Sequence, residues 1–399
     1  MRILLIADCY LPTTKSVADM VHDLAVEFRR QGHEVIVAVP DHTLAAPSEA
    51  AVEDGVKVLR MRTGRIKGAS KIIRAINEVQ LSSVFWRAGR RFFQANPCDL
   101  IVFYSPSIFF GSLVKRLKKI WNCKAYLILR DIFPKNIVEL GELRKGLVYW
   151  FFKVKEYELY AAADIIGVEA PGNLRYFSEE GIENRYQLEV LYNWISIDGQ
   201  KLVPRNYRER LGLQNKVVFL FGGLISSGQD MDNIVRLAKN LRGYPDIHFL
   251  IVGDGPDVPR LKVAIRESGG SNISYHPTVP QSEYLGLVSE FDIGLVCLAR
   301  TKKIGNIPGK LLGYMYCSLP ILASINPGND LKQILEESQA GFVCLNGEDE
   351  LLCKQALRLA KDARLRRQMG QNARALLEKT FSVKRAAAQI LSHADNSLA

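Results

Sequence analysis

Short, near-continuous apolar runs recur along the chain, each followed by a polar turn and then by apolar residues at helical spacing. In the first half these runs are Arg2–Ala7, Glu34–Val39, Val56–Arg60, Leu100–Tyr104, Lys124–Leu129, Ile165–Val168 and Leu188–Leu191. A strand that is apolar on both sides must be covered on both faces, so the pattern predicts a parallel sheet between layers of helices. Val17 to Arg30 supplies the first helix. Gln31-Gly32-His33 closes it, with Gly32 suited to the left-handed position beyond a helix end.

The rhythm pauses around Tyr192–Pro204 and then restarts. The second series reads Val217–Phe221, His248–Val252, Ile273–Tyr275, Ile293–Val296, Pro320–Ala323 and Gly341–Cys344. Helical segments follow these runs, the clearest being 233–240, 258–268, 310–316 and 350–360. Two α/β series in succession predict two Rossmann-like, doubly wound domains facing one another, over residues 1–200 and 201–375. The tail from Arg364 reads as helix, and residues 376–399 either pack locally or cross back onto the first domain. In such sheets ligands bind outside the carboxyl ends of the strands, so the expected site is the cleft between the halves.

Composition narrows the partners. The 53 basic residues against 42 acidic give a net charge of +11, which suits a nucleotide diphosphate, nucleic acid or an acidic membrane surface. No nucleic-acid-binding motif accompanies the charge. The seven cysteines form no CxxC pair or Cys/His cluster, as expected of free thiols in a reducing cytosol and not of a structural metal site. Met1 to Asp8 reads as a buried strand and not a signal peptide, and no apolar run reaches the ~18 residues needed to span a bilayer.

Several segments carry candidate chemistry. Ile307-Pro308-Gly309 reads as a turn from which Lys310 opens a helix, where backbone N–H groups and an ammonium could meet an anion; the plain alternative is a solvated first-turn lysine. Phe221-Gly222-Gly223-Leu224-Ile225-Ser226-Ser227-Gly228 could bring backbone N–H groups close to a pyrophosphate, although glycine-rich strand-to-helix turns are common. Gly253-Asp254-Gly255-Pro256 reads as a tight turn at a strand end. Arg130-Asp131 ends a strand, as a cleft-facing pair or as an ion pair and helix cap. A basic stretch runs through Arg60, Arg62, Arg65, Lys67, Lys71, Arg74, Arg87, Arg90 and Arg91 to 115–119, interleaved with Phe85, Trp86, Phe92 and Phe93. It suits an anionic lipid surface or, more plainly, a solvated helix face. The aromatic run Tyr149-Trp150-Phe151-Phe152 is expected in the core.

Taken in order, Gln31-Gly32-His33-Glu34-Val35, the Gly253 turn, Phe291-Asp292-Ile293-Gly294-Leu295, Asn306-Ile307-Pro308-Gly309-Lys310 and Ser318 to Ser324 resemble the retaining GT-B glycosyltransferases of family 4. Arg130 to Pro134, Asn306 to Lys310 and Asn326 to Leu331 are similar to a narrower group, the bacterial surface-polysaccharide transferases for N-acetyl-L-fucosamine. The resemblance implies sugar transfer from a UDP-sugar, such as an N-acetylated deoxy-sugar, to a polyprenyl-diphosphate-linked saccharide at the cytoplasmic face of the membrane. It implies retention of configuration and no metal or other cofactor. Asp131, Arg130 and Lys310 take the catalytic positions, with Asp131 near the acceptor hydroxyl where relatives often have His. The donor-binding set is Gly222, Gly223, Ser226, Gly253, Asp254, Gly255, Val279, Asn306, Pro308, Gly309, Gly313, Asn329 and Asp330. Thr14, Lys15 and Ser16 occupy the first loop, which lies near the phosphates or the acceptor in relatives.

The chain departs from the family pattern in two places. Relatives carry a pair of Glu where this chain has Gly305 and Gly313, and a basic pair is absent after the first strand of the second domain. Two rival functions share the scaffold. A UDP-sugar epimerase would show a richer set of acids and histidines, and a non-catalytic nucleotide-binding subunit at the membrane would account for the missing Glu pair. A nucleotide-dependent dehydrogenase lacks its GxGxxG after the first strand.

Overall fold

The computed structural model describes residues 1–13, 16–66, 70–139, 141, 143–198, 202–301 and 307–394. They fall into two compact units, Met1–Ile195 with Val383–Ala399, and Ser196–Ser382. The expected boundary at 375 falls instead inside the helix Ala363–Thr380, and the chain returns to the first unit only at Val383.

The first unit holds strands β1 (Arg2–Ile6), β2 (Glu34–Asp41), β3 (Ser48–Glu53), β4 (Val56–Arg62), β5 (Leu100–Tyr104), β6 (Lys124–Leu129), β7 (Ile165–Val168) and β8 (Gln187–Val190). They form one sheet in the order β3-β4-β2-β1-β5-β6-β7-β8, parallel except for β3, which pairs antiparallel with β4 at the edge. Side chains alternate between two buried layers. Leu4, Ile6, Ile36 and Ala38 enter one, while Ile3, Leu5, Val35 and Val37 enter the other. Covering both faces is what the continuous apolar runs demand. Helix Val383–Leu391 joins the second layer through Val383, Ala386, Ala387 and Ile390. Burying its Val and Ile alone is worth roughly 1.5–3 kcal/mol each, which holds the tail on this unit.

The second unit holds β9 (Val217–Leu224), β10 (Ile247–Asp254), β11 (Ile273–His276), β12 (Ile293–Cys297), β13 (Ile321–Ile325) and β14 (Gly341–Leu345). Their order is β11-β10-β9-β12-β13-β14, with every pairing parallel. The order reverses beside β9, because β9 pairs with both β10 and β12. That is the switch point at which a doubly wound sheet opens a ligand crevice beyond its carboxyl edge.

Candidate active site

At the carboxyl end of β9, Phe221, Gly222 and Gly223 meet Lys310, the first residue of helix Lys310–Tyr316. Lys310 Nζ lies 3.5 Å from the centre of the Phe221 ring and donates a 2.8 Å hydrogen bond to Gln229 Oε1. A Cβ on Gly223 would stand 3.5 Å from Lys310 Cε, so the lysine arm runs alongside the glycine backbone. The ring face and the amide oxygen both favour the charged amine and fix its place. The helix has seven residues, so the ammonium carries the local positive charge more than a long helix dipole does.

The strand end is pinned by a tyrosine. Gly222 N donates to Tyr314 Oη at 2.9 Å, and that hydroxyl donates to Leu295 O at 3.1 Å. Burial raises the Tyr314 pKa, so the hydroxyl keeps the proton it donates. Ser226 O accepts Gln229 N at 2.9 Å, and this turn places the amide that holds Lys310.

Other expected donor residues have structural roles. Gly253 and Asp254 close β10 instead of forming a turn. A Cβ on Gly253 would lie 1.9 Å from Gly223 O, and one on Gly255 would lie 2.1 Å from Ile225 O, so both glycines permit a close backbone approach. Asp254 Oδ1 accepts Gly255 N at 2.8 Å. Asn329 is buried: its Oδ1 accepts Leu331 N at 3.0 Å at the start of helix Leu331–Glu337, and its Nδ2 donates to Asn326 Oδ1 at 3.0 Å. Asp330 follows it, partly exposed. Gly313 is buried against Tyr284 and Leu285. Pro308 is buried, Gly309 is exposed just before Lys310, and Val279 is half-buried after β11. Asn306, Thr14, Lys15 and Lys67 lie outside the described residues, and Ser16 is the exposed first residue of helix Ser16–Arg30.

In the first unit the carboxyl edge gathers a different set. Arg130 follows β6 and is buried. Its Nη1 donates to Leu191 O at 2.6 Å and its Nη2 to Tyr192 O at 3.4 Å, and its guanidinium stacks 5.2 Å from the Trp194 ring. It therefore ties the end of β6 to the chain leaving β8. Asp131 beside it is exposed. Glu169, directly after β7, is buried and accepts Asn193 Nδ2 at 2.7 Å. Burial raises the pKa of Tyr104, a hydroxyl close enough to feel the charges of Arg130, Glu169, Asp131 and Asp8. Among the described residues, the buried Ser105 and Ser107 hydroxyls find no hydrogen-bond partner, a costly state unless a ligand completes it. Sequence reasoning named Arg130 and Asp131 and missed Glu169, Asn193, Ser105 and Ser107. Their signal was position, since each follows within three residues of a strand's carboxyl end.

The basic stretch divides. Arg60 pairs with Glu53 at 2.6 Å and Arg74 with Glu78 at 2.9 Å, whereas Arg87, Arg90 and Arg91 are exposed on helix Leu81–Ala95. Its rings do not project outward: Phe85 and Phe93 are fully buried, Trp86 lies under Arg116 and Phe92 under Lys57. The run at 149–152 departs from its expected place in the core, because Trp150 and Phe151 are exposed while Tyr149 is buried.

Two family descriptions match the chain in tandem, the glycosyl transferase 4-like domain over residues 17–194 and glycosyl transferases group 1 over residues 204–376. Both halves of the chain thus match glycosyltransferase domain families on a GT-B fold. The chain is 26% identical over 228 residues to the Pseudomonas aeruginosa protein named as glycosyltransferase WbjE, which is 55% of this chain and 56% of that one. The match thus spans little more than half of that relative. It is 24% identical over 376 residues to the Escherichia coli protein named as colanic acid biosynthesis glycosyl transferase WcaI, covering 87% and 89% of the two chains. Among solved structures, Anabaena HepE in complex with UDP superposes with a TM-score of 0.69 at 16% identity, over 98% of this chain and 99% of that one. At that identity the shared property is the fold. Among the described residues, no helix is long and apolar enough to cross a membrane.

Proposed function

We propose that this protein transfers a sugar from a UDP-sugar to a polyprenyl-diphosphate-linked saccharide at an anionic membrane surface on the cytoplasmic side, with retention of anomeric configuration. The observation that carries the reading is Lys310, an amine held over Phe221 by Gln229 beside the Gly222-Gly223 backbone. A cation fixed at a switch point is suited to a diphosphate, and its attraction grows as the glycosidic bond breaks and charge moves onto the leaving group. Charge is then met by the ammonium and backbone N–H groups, without a metal.

In this reading the bond from anomeric carbon to diphosphate oxygen breaks, the acceptor oxygen bonds to that carbon on the same face, and the departing diphosphate receives the acceptor proton. Asp131, exposed at the end of β6, orients the acceptor hydroxyl, while buried Arg130 positions the loop that carries it. With glycine at 313, the ribose has no glutamate there, and Asp330 is the acid we assign to it. HepE, bound to UDP, supports the nucleotide, and the name of WcaI supports a polysaccharide product. An N-acetylated deoxy-sugar such as N-acetyl-L-fucosamine is the donor sugar we would test first.

The test is mass spectrometry of lipid-linked glycans after incubating the protein with membrane extract and a panel of UDP-sugars. The reading expects a one-sugar mass gain with a single donor. Donor loss without acceptor gain would point to an epimerase or hydrolase, and UDP binding without turnover to a non-catalytic subunit.

A further inference from the structure

Helix Leu147–Tyr160 exposes an apolar outward face. Its outward face carries Leu147 (91% exposed), Val148 (57%), Trp150 (61%), Phe151 (42%) and Val154 (62%), a stripe at helical spacing over two turns. Its inward face buries an ion pair beside the core residues Leu159 and Tyr160. Lys153 is 3% exposed, Glu156 0%, and Lys153 Nζ lies 2.8 Å from Glu156 Oε2. Lys153 also donates to Tyr176 Oη at 2.6 Å and to Glu180 Oε2 at 2.9 Å, and Tyr160 and Tyr176 donate to Glu156. A water-facing helix carries charged and polar residues on its outer face. Here the network clamps the helix so that its apolar side faces out, a patch large enough to mark an interaction surface.

We propose that this stripe inserts into the interface of an anionic lipid bilayer and anchors the protein there. Charge selects a bilayer over a second copy of the chain. Arg144 and Lys145, both exposed, lead directly into the stripe. The neighbouring helix Gly111–Trp121, which starts against Glu158 O, presents Lys115, Arg116 and Lys119 with Ile120 and has no acidic residue. Helix Leu81–Ala95 adds Arg87, Arg90 and Arg91, again without an acid. Glu139 is exposed upstream, Glu142 precedes Arg144 in the sequence, and Glu158 is paired with Lys155. Packing two copies through the stripe would bring like charges together, whereas anionic headgroups complement them. A Trp and a Phe beside aliphatic residues fit the headgroup boundary, and the stripe is too short to span. The inference rests on the membrane part of the proposed function and specifies which residues enter the lipid.

The test is co-sedimentation of the full chain with vesicles of phosphatidylcholine containing about a third phosphatidylglycerol, beside vesicles of phosphatidylcholine alone. The wild type should bind the anionic vesicles, and brominated lipids should quench an emission that the Trp150→Phe variant lacks. The triple variant Leu147→Ser, Trp150→Gln, Val154→Ser should bind roughly a hundredfold more weakly with an unchanged circular dichroism spectrum. The charge variant Arg144→Glu, Lys145→Glu should lose binding that the wild type loses in high salt. Wild-type binding by the triple variant would overturn the proposal, as would dimerisation without lipid that the triple variant abolishes. Sugar transfer to a water-soluble acceptor analogue separates the two readings: if it persists while vesicle binding is absent, the anchor fails and the transferase stands.

Discussion

Each unit places a long basic side chain at the carboxyl edge of its sheet, and the two are used in opposite ways. Arg130 is buried, and its guanidinium is engaged by the carbonyls of Leu191 and Tyr192 and by the Trp194 ring. Lys310 is half-buried, and its amine lies against the Phe221 ring and donates to Gln229 Oε1 beside a glycine backbone. A planar fork that satisfies backbone acceptors is a structural tie, whereas a compact ammonium on a flexible stem can follow an anion. Position at a strand end does not distinguish these roles; the partners do.

The largest expected effect tests the second half of that contrast. Lys310→Ala should lower sugar transfer roughly a thousandfold, about 4 kcal/mol of lost transition-state stabilisation, while the melting temperature stays close to wild type. Arg130→Ala should do the reverse. Leaving the carbonyls of Leu191 and Tyr192 unpaired beside a cavity should cost about 3 kcal/mol in a urea titration, with turnover per folded molecule falling far less than for Lys310→Ala.

His248 extends the contrast to a group that burial keeps neutral. It sits on β10 with Nε2 2.8 Å from Ser274 Oγ, and burial, with help from Lys216, pushes its pKa from 6.5 down to about 4. Between those values the unfolded chain binds a proton that the folded chain does not. Its burden on stability is therefore absent above pH 6.5 and grows as pH falls toward 4, reaching about 3 kcal/mol. His248→Gln should flatten that part of the pH–stability curve. The smallest effect concerns the hold on Lys310: Gln229→Ala should slow transfer about fivefold, close to 1 kcal/mol for one hydrogen bond to a charge, and Gln229→Glu should retain more activity than the alanine variant.

Most of the fold was legible because parallel strands covered on both faces announce themselves as apolar runs. Strand β3 was not, since Ser48–Glu53 lies exposed at a sheet edge with no apolar run to mark it. The aromatic segments show the limit of composition. Phe85, Trp86, Phe92 and Phe93 suggested an outward face and turned inward, while Trp150 and Phe151 suggested core and turned outward. A side chain's apolarity states what environment it prefers and leaves open which side of the helix holds a neighbour; Lys153 and Glu156 decided that for helix Leu147–Tyr160. The helix start at Lys310 was legible from the turn before it. Gln229 was not, because its role exists only when the loop after β9 folds back to the lysine. Asn329 read as a ligand, yet its amide oxygen accepts the amide of Leu331 two residues on.

The most direct test of Lys310 as the diphosphate's cation is calorimetric titration of UDP and of uridine into the wild type and into Lys310→Ala. With Lys310 in that role, UDP binding should weaken by about a hundredfold, roughly 2.7 kcal/mol, while uridine binding is unchanged. Equal loss for both ligands, or no loss for UDP, would contradict it.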